Sequence, residues 1–266
     1  VIIDNLRLSS SSGENHGDGN NGLFANGHML ILGPGVSSSG GSSPTSYLQV
    51  YGGHWRNALD LDGGSTDVRI FAGTFYNVVA GSRGSTIDGN THLVMRGGTV
   101  LDTVIGGNSG SSGDSNANST NRITGSTHVY MLGDVIMPGD YYEEDALDNS
   151  SMFYGLPQIS ESTILTGGSN NGYIGGGTNV FISNNAQLWD VQAGGRRGNS
   201  TVEGTAMAEV SGNAVVKHVL CGSITDGMDG KNASPGNDKA CVGATDIRVT
   251  DGAKVGSVFG AGYDTY

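Results

Sequence analysis

The densest chemistry in the sequence is the run Asp140-Tyr141-Tyr142-Glu143-Glu144-Asp145-Ala146-Leu147-Asp148, with Phe153 and Tyr154 close behind. Hard oxygen donors on a loop suit Ca2+, so Asp140, Glu143, Glu144, Asp145 and Asp148 are candidate metal ligands. The same acids beside Tyr141 and Tyr142 would also suit a sugar-binding lip. Glu143 and Glu144 are then candidate catalytic groups, because glycoside hydrolysis needs two carboxyl groups flanking one bond. A solvated acidic loop is the competing reading. A second pair, Asp60 and Asp62, alternates onto one side of an extended segment ahead of Gly63-Gly64. These two are candidate acids or calcium ligands, against the plainer reading of a solvated strand end. Phe71 stands where an EF-hand loop would need its last glutamate.

Rings recur at fixed places elsewhere. His92 and His128 each follow a threonine, and Tyr130 and Phe181 each precede an apolar residue. The elements that must hold them form an internal repeat, Thr-x-Φ-x-Φ with Φ apolar. It begins at Thr66, Thr91, Thr127, Thr178 and Thr245, and Ala206 opens one further copy. Alternation over five residues is the period of a strand. A second strand follows with Φ-x-x-Val: Phe75 to Val78, Leu101 to Val104, Leu188 to Val191, Val216 to Val219 and Val255 to Val258. A short third segment closes several units, as in Ile87-Asp88-Gly89, Ile123-Thr124-Gly125 and Val202-Glu203-Gly204. Unit length varies through insertions at 108–121, 139–161 and 222–240, placed mainly after the second strand. Stacked repeats tolerate such loops. Upstream, Phe24 to Leu32 and Tyr47 to Gly53 read as degenerate copies.

If the threonines and alternate apolar residues face inward, the residues between them form outward columns. One column reads Asp67, His92, His128, Asn179, Met207, Asp246, and its neighbour Arg69, Val94, Tyr130, Phe181, Glu209, Arg248. Tyr130 and Phe181, with Val94, would make an apolar strip for stacking on a polysaccharide or meeting a protein. His92 and His128 stand beside it as further binding residues, short of the ligand count of a structural metal site. Simple cross-strand packing is the plainer alternative.

Composition agrees with a turn-rich β protein. There are 47 glycines among 266 residues, well above an average share of about 7%. Many fall in pairs beside apolar runs, where tight turns need them. Charged residues are 14% and the net charge is −12. A basic footprint for nucleic acid is lacking, and so is one for anionic lipid. No apolar run is long enough to span a membrane. No signal peptide is visible, and the ends read as those of a piece cut from a longer chain. Cys221 and Cys241 flank the last insertion and are expected to pair, a closure contributing about 3 kcal/mol. Such a bond points to an oxidising compartment; the alternative is two buried free thiols. Four glycosylation sequons, Asn118, Asn149, Asn199 and Asn232, fall in insertions or corners. A chain so rich in Asn, Ser and Thr carries such triplets by chance as well.

The expected fold is all-β, a right-handed parallel β-helix (solenoid) with loop insertions; a β-sandwich or propeller is the alternative. Residues 1–23 form an N-terminal segment or cap, and 24–266 a single repeat domain. The segments Thr91 to Gly107 (THLVMRGGTVLDTVIGG) and Thr178 to Gly195 resemble extracellular parallel β-helix proteins of the pectin-lyase-like superfamily, especially their surface and adhesin types. The resemblance runs from about Phe24 onward. It implies one of several trades: polysaccharide lyase, glycoside hydrolase, adhesin or structural surface protein. The Asn-Thr-Asp, Asp-Asp, Gly-His-Gly and Arg-Ile-Lys motifs of polygalacturonase-like members do not occur; Gly27-His28-Met29 breaks the third. The expectation is therefore a secreted or cell-surface structural or adhesive protein that contacts a polysaccharide or another surface protein. A carbohydrate-active enzyme and a non-catalytic carbohydrate-binding module are the alternatives. No cofactor is required on this reading, with Ca2+ open at the acidic insertion. Open ends of a stacked repeat would also allow self-association into filaments.

Overall fold

The structure is a computed structural model that describes residues 1–9, 22–40, 44–54, 64–110, 121–140, 158–159, 163–196, 200–223 and 241–260. Among these, the protein is all-β. One short 3-10 turn, Pro44–Ser46, is the only helical element described. The strands form one 17-stranded sheet and two 2-stranded sheets. Every strand pairing among the described residues is parallel, including those from Thr66–Ile70 onto Thr91–Ile105 and from the latter onto Thr127–Met137. Antiparallel sandwiches and propellers do not pair this way.

The Thr-x-Φ-x-Φ copies lie side by side in one ladder. Thr66 pairs with Thr91, Thr91 with Thr127, Thr127 with Thr178, Thr178 with Ala206, and Ala206 with Thr245. Pairing reaches back through Leu30–Leu32 to Ile2–Ile3. Burial alternates as the repeat demands. Thr66, Val68 and Ile70 are buried, while Asp67 and Arg69 are half-exposed. Inward Val68, Leu93, Val129, Val180 and Ala208 form the middle of one continuous core. Each aliphatic side chain of Val or Leu size contributes about 1.5–3 kcal/mol by leaving water.

The inward threonines carry a polar group into that core, so each hydroxyl needs a partner. Thr66 Oγ1 donates to Ala80 O (2.6 Å), Thr91 to Gly106 O (2.5 Å), Thr127 to Gly167 O (2.7 Å) and Thr178 to Ala193 O (2.6 Å). These carbonyls sit at the corner after the second strand, so the bond ties the start of each unit to its far corner. Small residues are required there. A Cβ on Gly106 would lie 2.2 Å from Gly167 O, and one on Gly167 would lie 2.4 Å from Ala193 O. The exception is paired: in the unit that opens with Ala206, the corner residue is Cys221. Ala206 has no hydroxyl to bond this corner, and the Cys221 sulfur lies 3.4 Å from Asp246 O on the next strand.

The second ladder holds Phe75, Val78, Val104, Leu165, Leu188, Val191, Val216 and Val219 inward. One expected position is displaced. Phe75 pairs with Val100, not Leu101, and Val78 with Val104. A bulge gives the Thr91 unit one more residue between its inward positions, so Val100 is buried and Leu101 half-exposed. The insertion at 139–161 also departs from expectation, because it interrupts the second strand instead of following it. Ile136 and Met137 pair with Gln187 and Leu188, and Ile164–Thr166 resumes the same row against Asp190–Gln192. The other two insertions leave between the corner and the third segment. That third ladder stacks Ile87, Ile123, Ile174 and Val202 into a small core of its own.

Corners are held by side chains where backbone pairing lapses. Ser82 Oγ accepts from His54 N (3.0 Å), Asn108 Oδ1 from Ser82 N (2.7 Å), Ser169 Oγ from Asn108 N (3.0 Å) and Ser223 Oγ from Gly195 N (3.0 Å). At the next corner Ser65 Oγ, Asn90 Oδ1 and Ser126 Oγ accept from Asn90 N, Ser126 N and Gly177 N in turn. The abundance of Ser and Asn after glycine thus reflects satisfied backbone donors.

The expected disulfide is absent: Cys221 and Cys241 are free thiols, one buried and one exposed. Cys221 points into the core, where its Sγ lies 3.4 Å from Asp246 O. Cys241 pairs in register with Thr201, one residue before inward Val242, and so faces out; its Sγ is 3.8 Å from Thr201 Oγ1. The backbone layer separates the two sulfurs. Burial pushes the Cys221 thiol up to about 12, which keeps it protonated and inert.

Candidate binding face

The outward residues of the first ladder fall into the two expected columns. Asp67, His92, His128, Asn179, Met207 and Asp246 are successive register partners, as are Arg69, Val94, Tyr130, Phe181, Glu209 and Arg248. Parallel strands bring such partners to about 4.8 Å. The rings respond by stacking. His92 and His128 have centroids 4.6 Å apart and planes 9° apart. Tyr130 and Phe181 stand at 5.0 Å and 5°. Both pairs are half-buried.

This geometry changes what the strip offers. Tyr130 and Phe181 turn their π faces on each other, so toward solvent they present ring edges. A sugar ring packs on an aromatic face, whereas a flat protein surface packs on edges and aliphatic groups. Ion pairs bracket the strip. Arg69 donates to Asp67 through Nε (3.0 Å) and Nη2 (2.7 Å), and Arg248 Nη2 donates to Asp246 (2.6 Å). Each carboxylate raises its arginine further above the usual range. Between them, burial holds His128 below the ordinary histidine value, and the neighbouring His92 adds to the effect. An imidazole so placed is neutral at pH 7.

A second polar group, on the outer side of the second ladder, went unread in the sequence. His218 Nδ1 lies 2.8 Å from Asp190 Oδ1, with the two side chains 16% and 4% exposed. Lys217 Nζ sits 3.9 Å from the centre of the Trp189 ring. Lys217 is 1% exposed and Trp189 3%. The indole packs against Gly139, where a Cβ would lie 1.8 Å from the ring. A signal for the acid–imidazole pair was present. The residue just before the valine of Φ-x-x-Val reads Asn77, Thr103, Asp190, His218, Ser257, and these are register partners apart from the row at Ile164.

Asp60, Asp62, Tyr141, Tyr142, Glu143, Glu144, Asp145 and Asp148 lie outside the described residues, as do Asn118, Asn149, Asn199 and Asn232. Asp140 ends a short strand, Gly139–Asp140, paired with Gln158–Ile159. Among the described residues, no three His, Cys, Asp or Glu side chains form a metal-holding group. No helix among them is long and apolar enough to cross a membrane. Comparison with protein-family models, with curated proteins and with solved structures finds no match to this chain.

Proposed function

We propose that the chain is a right-handed parallel β-helix of a secreted or cell-surface protein. Its outward first face serves as a docking strip in a structural or adhesive role. The carrying observation is the unbroken register that lines up His92, Val94, His128, Tyr130, Asn179 and Phe181 on one side of the sheet. The paired ring faces favour a flat protein partner over a glycan. Any Ca2+ in this reading belongs to the acidic insertion. A cell-adhesion assay and a glycan array with wild type and the Tyr130→Ala/Phe181→Ala double variant test the proposal. Adhesion lost in the variant, with circular dichroism unchanged, supports it; adhesion that survives the double substitution rejects the strip.

A second reading, a polysaccharide lyase or glycoside hydrolase, is favoured by the Asp190–His218 pair alone. A carboxylate-oriented imidazole is the usual form of a general base. Release of unsaturated or reducing ends from polygalacturonate or other polysaccharides, lost in His218→Gln, would replace the adhesive reading with this one.

A further inference from the structure

The two stacked imidazoles of the outward face have a use of their own. His92 and His128 are direct register partners on neighbouring strands, so the backbone fixes the separation of their β-carbons. No hydrogen bond is made to either ring among the described residues, which leaves all four ring nitrogens uncommitted. The next residue in the column, Asn179, leans toward them: its Nδ2 donates to Thr127 O (3.3 Å), and its Oδ1 remains as an oxygen donor. On the other side, Asp67 is tied to Arg69 by two hydrogen bonds.

We propose that His92 and His128 form a two-imidazole site for a borderline divalent transition metal, Zn2+, Ni2+ or Cu2+, with Asn179 as the adjacent oxygen donor. Imidazole nitrogen selects these ions, whereas Ca2+ takes oxygen ligands. Metal–nitrogen bonds of about 2.0–2.1 Å require the two nitrogens to converge. In the stack the lone pairs run side by side, so binding must swing the rings about χ2. That torsion is broad for histidine and costs little. With Asp67 engaged elsewhere, water fills the remaining positions, and these face outward, where a partner's side chain can replace it. The site depends on the register of the column and not on the adhesive role.

The test is a titration of the whole chain with Ni2+, followed by calorimetry and by the imidazole proton resonances. The expected result is saturable binding that shifts the resonances of His92 and His128 together and is reversed by a chelator. His92→Gln and His128→Gln should each weaken binding roughly 10-fold or more, on the scale of losses at histidine metal sites. His218→Gln, which removes an imidazole from the other face, should bind like wild type. Absence of saturable binding overturns the proposal, as does wild-type affinity in either His92→Gln or His128→Gln with an unchanged fold. The Tyr130→Ala/Phe181→Ala variant should keep the metal, so failure of the docking strip and failure of the metal site read out separately.

Discussion

The outward sides of the first and second ladders come from the same repeat, yet one is open and the other is covered. On the first, His92, His128, Tyr130 and Phe181 are half-buried and touch chiefly one another. On the second, Tyr51, Val79, Ile105, Trp189, Asp190, Gln192, Lys217 and Leu220 are all buried. The difference lies in where chain leaves the repeat. The insertion that splits the second strand brings Gly139 onto Trp189. No described segment does this to the first face. An outward position in a stacked repeat is therefore not a surface position until the insertions have been placed.

The contrast can be broken by substitution. The largest effect is expected at Trp189. Trp189→Ala removes a buried indole and the seat of Lys217, and should cost about 3–5 kcal/mol in urea unfolding. Asp190→Ala leaves His218 without its acceptor in a buried setting and should cost about 2–3 kcal/mol by the same measurement. Thr178→Val tests the shared interior. It keeps the shape but loses the bond to Ala193 O, for about 1–2 kcal/mol. On the open face Tyr130→Ala should cost only about 1 kcal/mol, the worth of an exposed cross-strand pair. A Tyr130→Ala loss as large as that of Trp189→Ala would show that something covers the first face too.

The smallest effect is a pH dependence arising at His128 on the first face. His128 has a folded pKa below the unfolded value of 6.5, so the unfolded chain binds the proton more readily. Its contribution to stability is complete above 6.5 and declines as pH falls from there through the folded pKa. Unfolding midpoints above and below that window should differ less in His128→Gln than in wild type. His92→Gln should shrink the difference partway, because burial is the larger cause and His92 the smaller.

Much of the first ladder was legible because its side chains alternate strictly. Two-residue periodicity converts position into direction, so the columns from Asp67 to Asp246 and from Arg69 to Arg248 could be written down from aligned threonines. The second ladder resisted for the opposite reason. Its inward positions stand three or four residues apart around a bulge, which moved the buried residue from Leu101 to Val100 and obscured the Asp190–His218 column. The cysteines failed similarly. Proximity across an insertion implied a bond, but sequence distance carries no information about which side of a backbone layer each sulfur occupies.

The sequence by itself determined the strands, their parallel register and the inward threonines, because these follow from alternation and repetition along one chain. Only the tertiary structure decided the rest. The threonine hydroxyls bond across the full width of a unit. Cys221 turns its sulfur inward toward Asp246 O. Tyr130 and Phe181 spend their faces on each other, and the outward residues of the second ladder are buried, with Gly139 against Trp189. The threonine bonds form when one unit closes on itself, and the others form when neighbouring strands come into register.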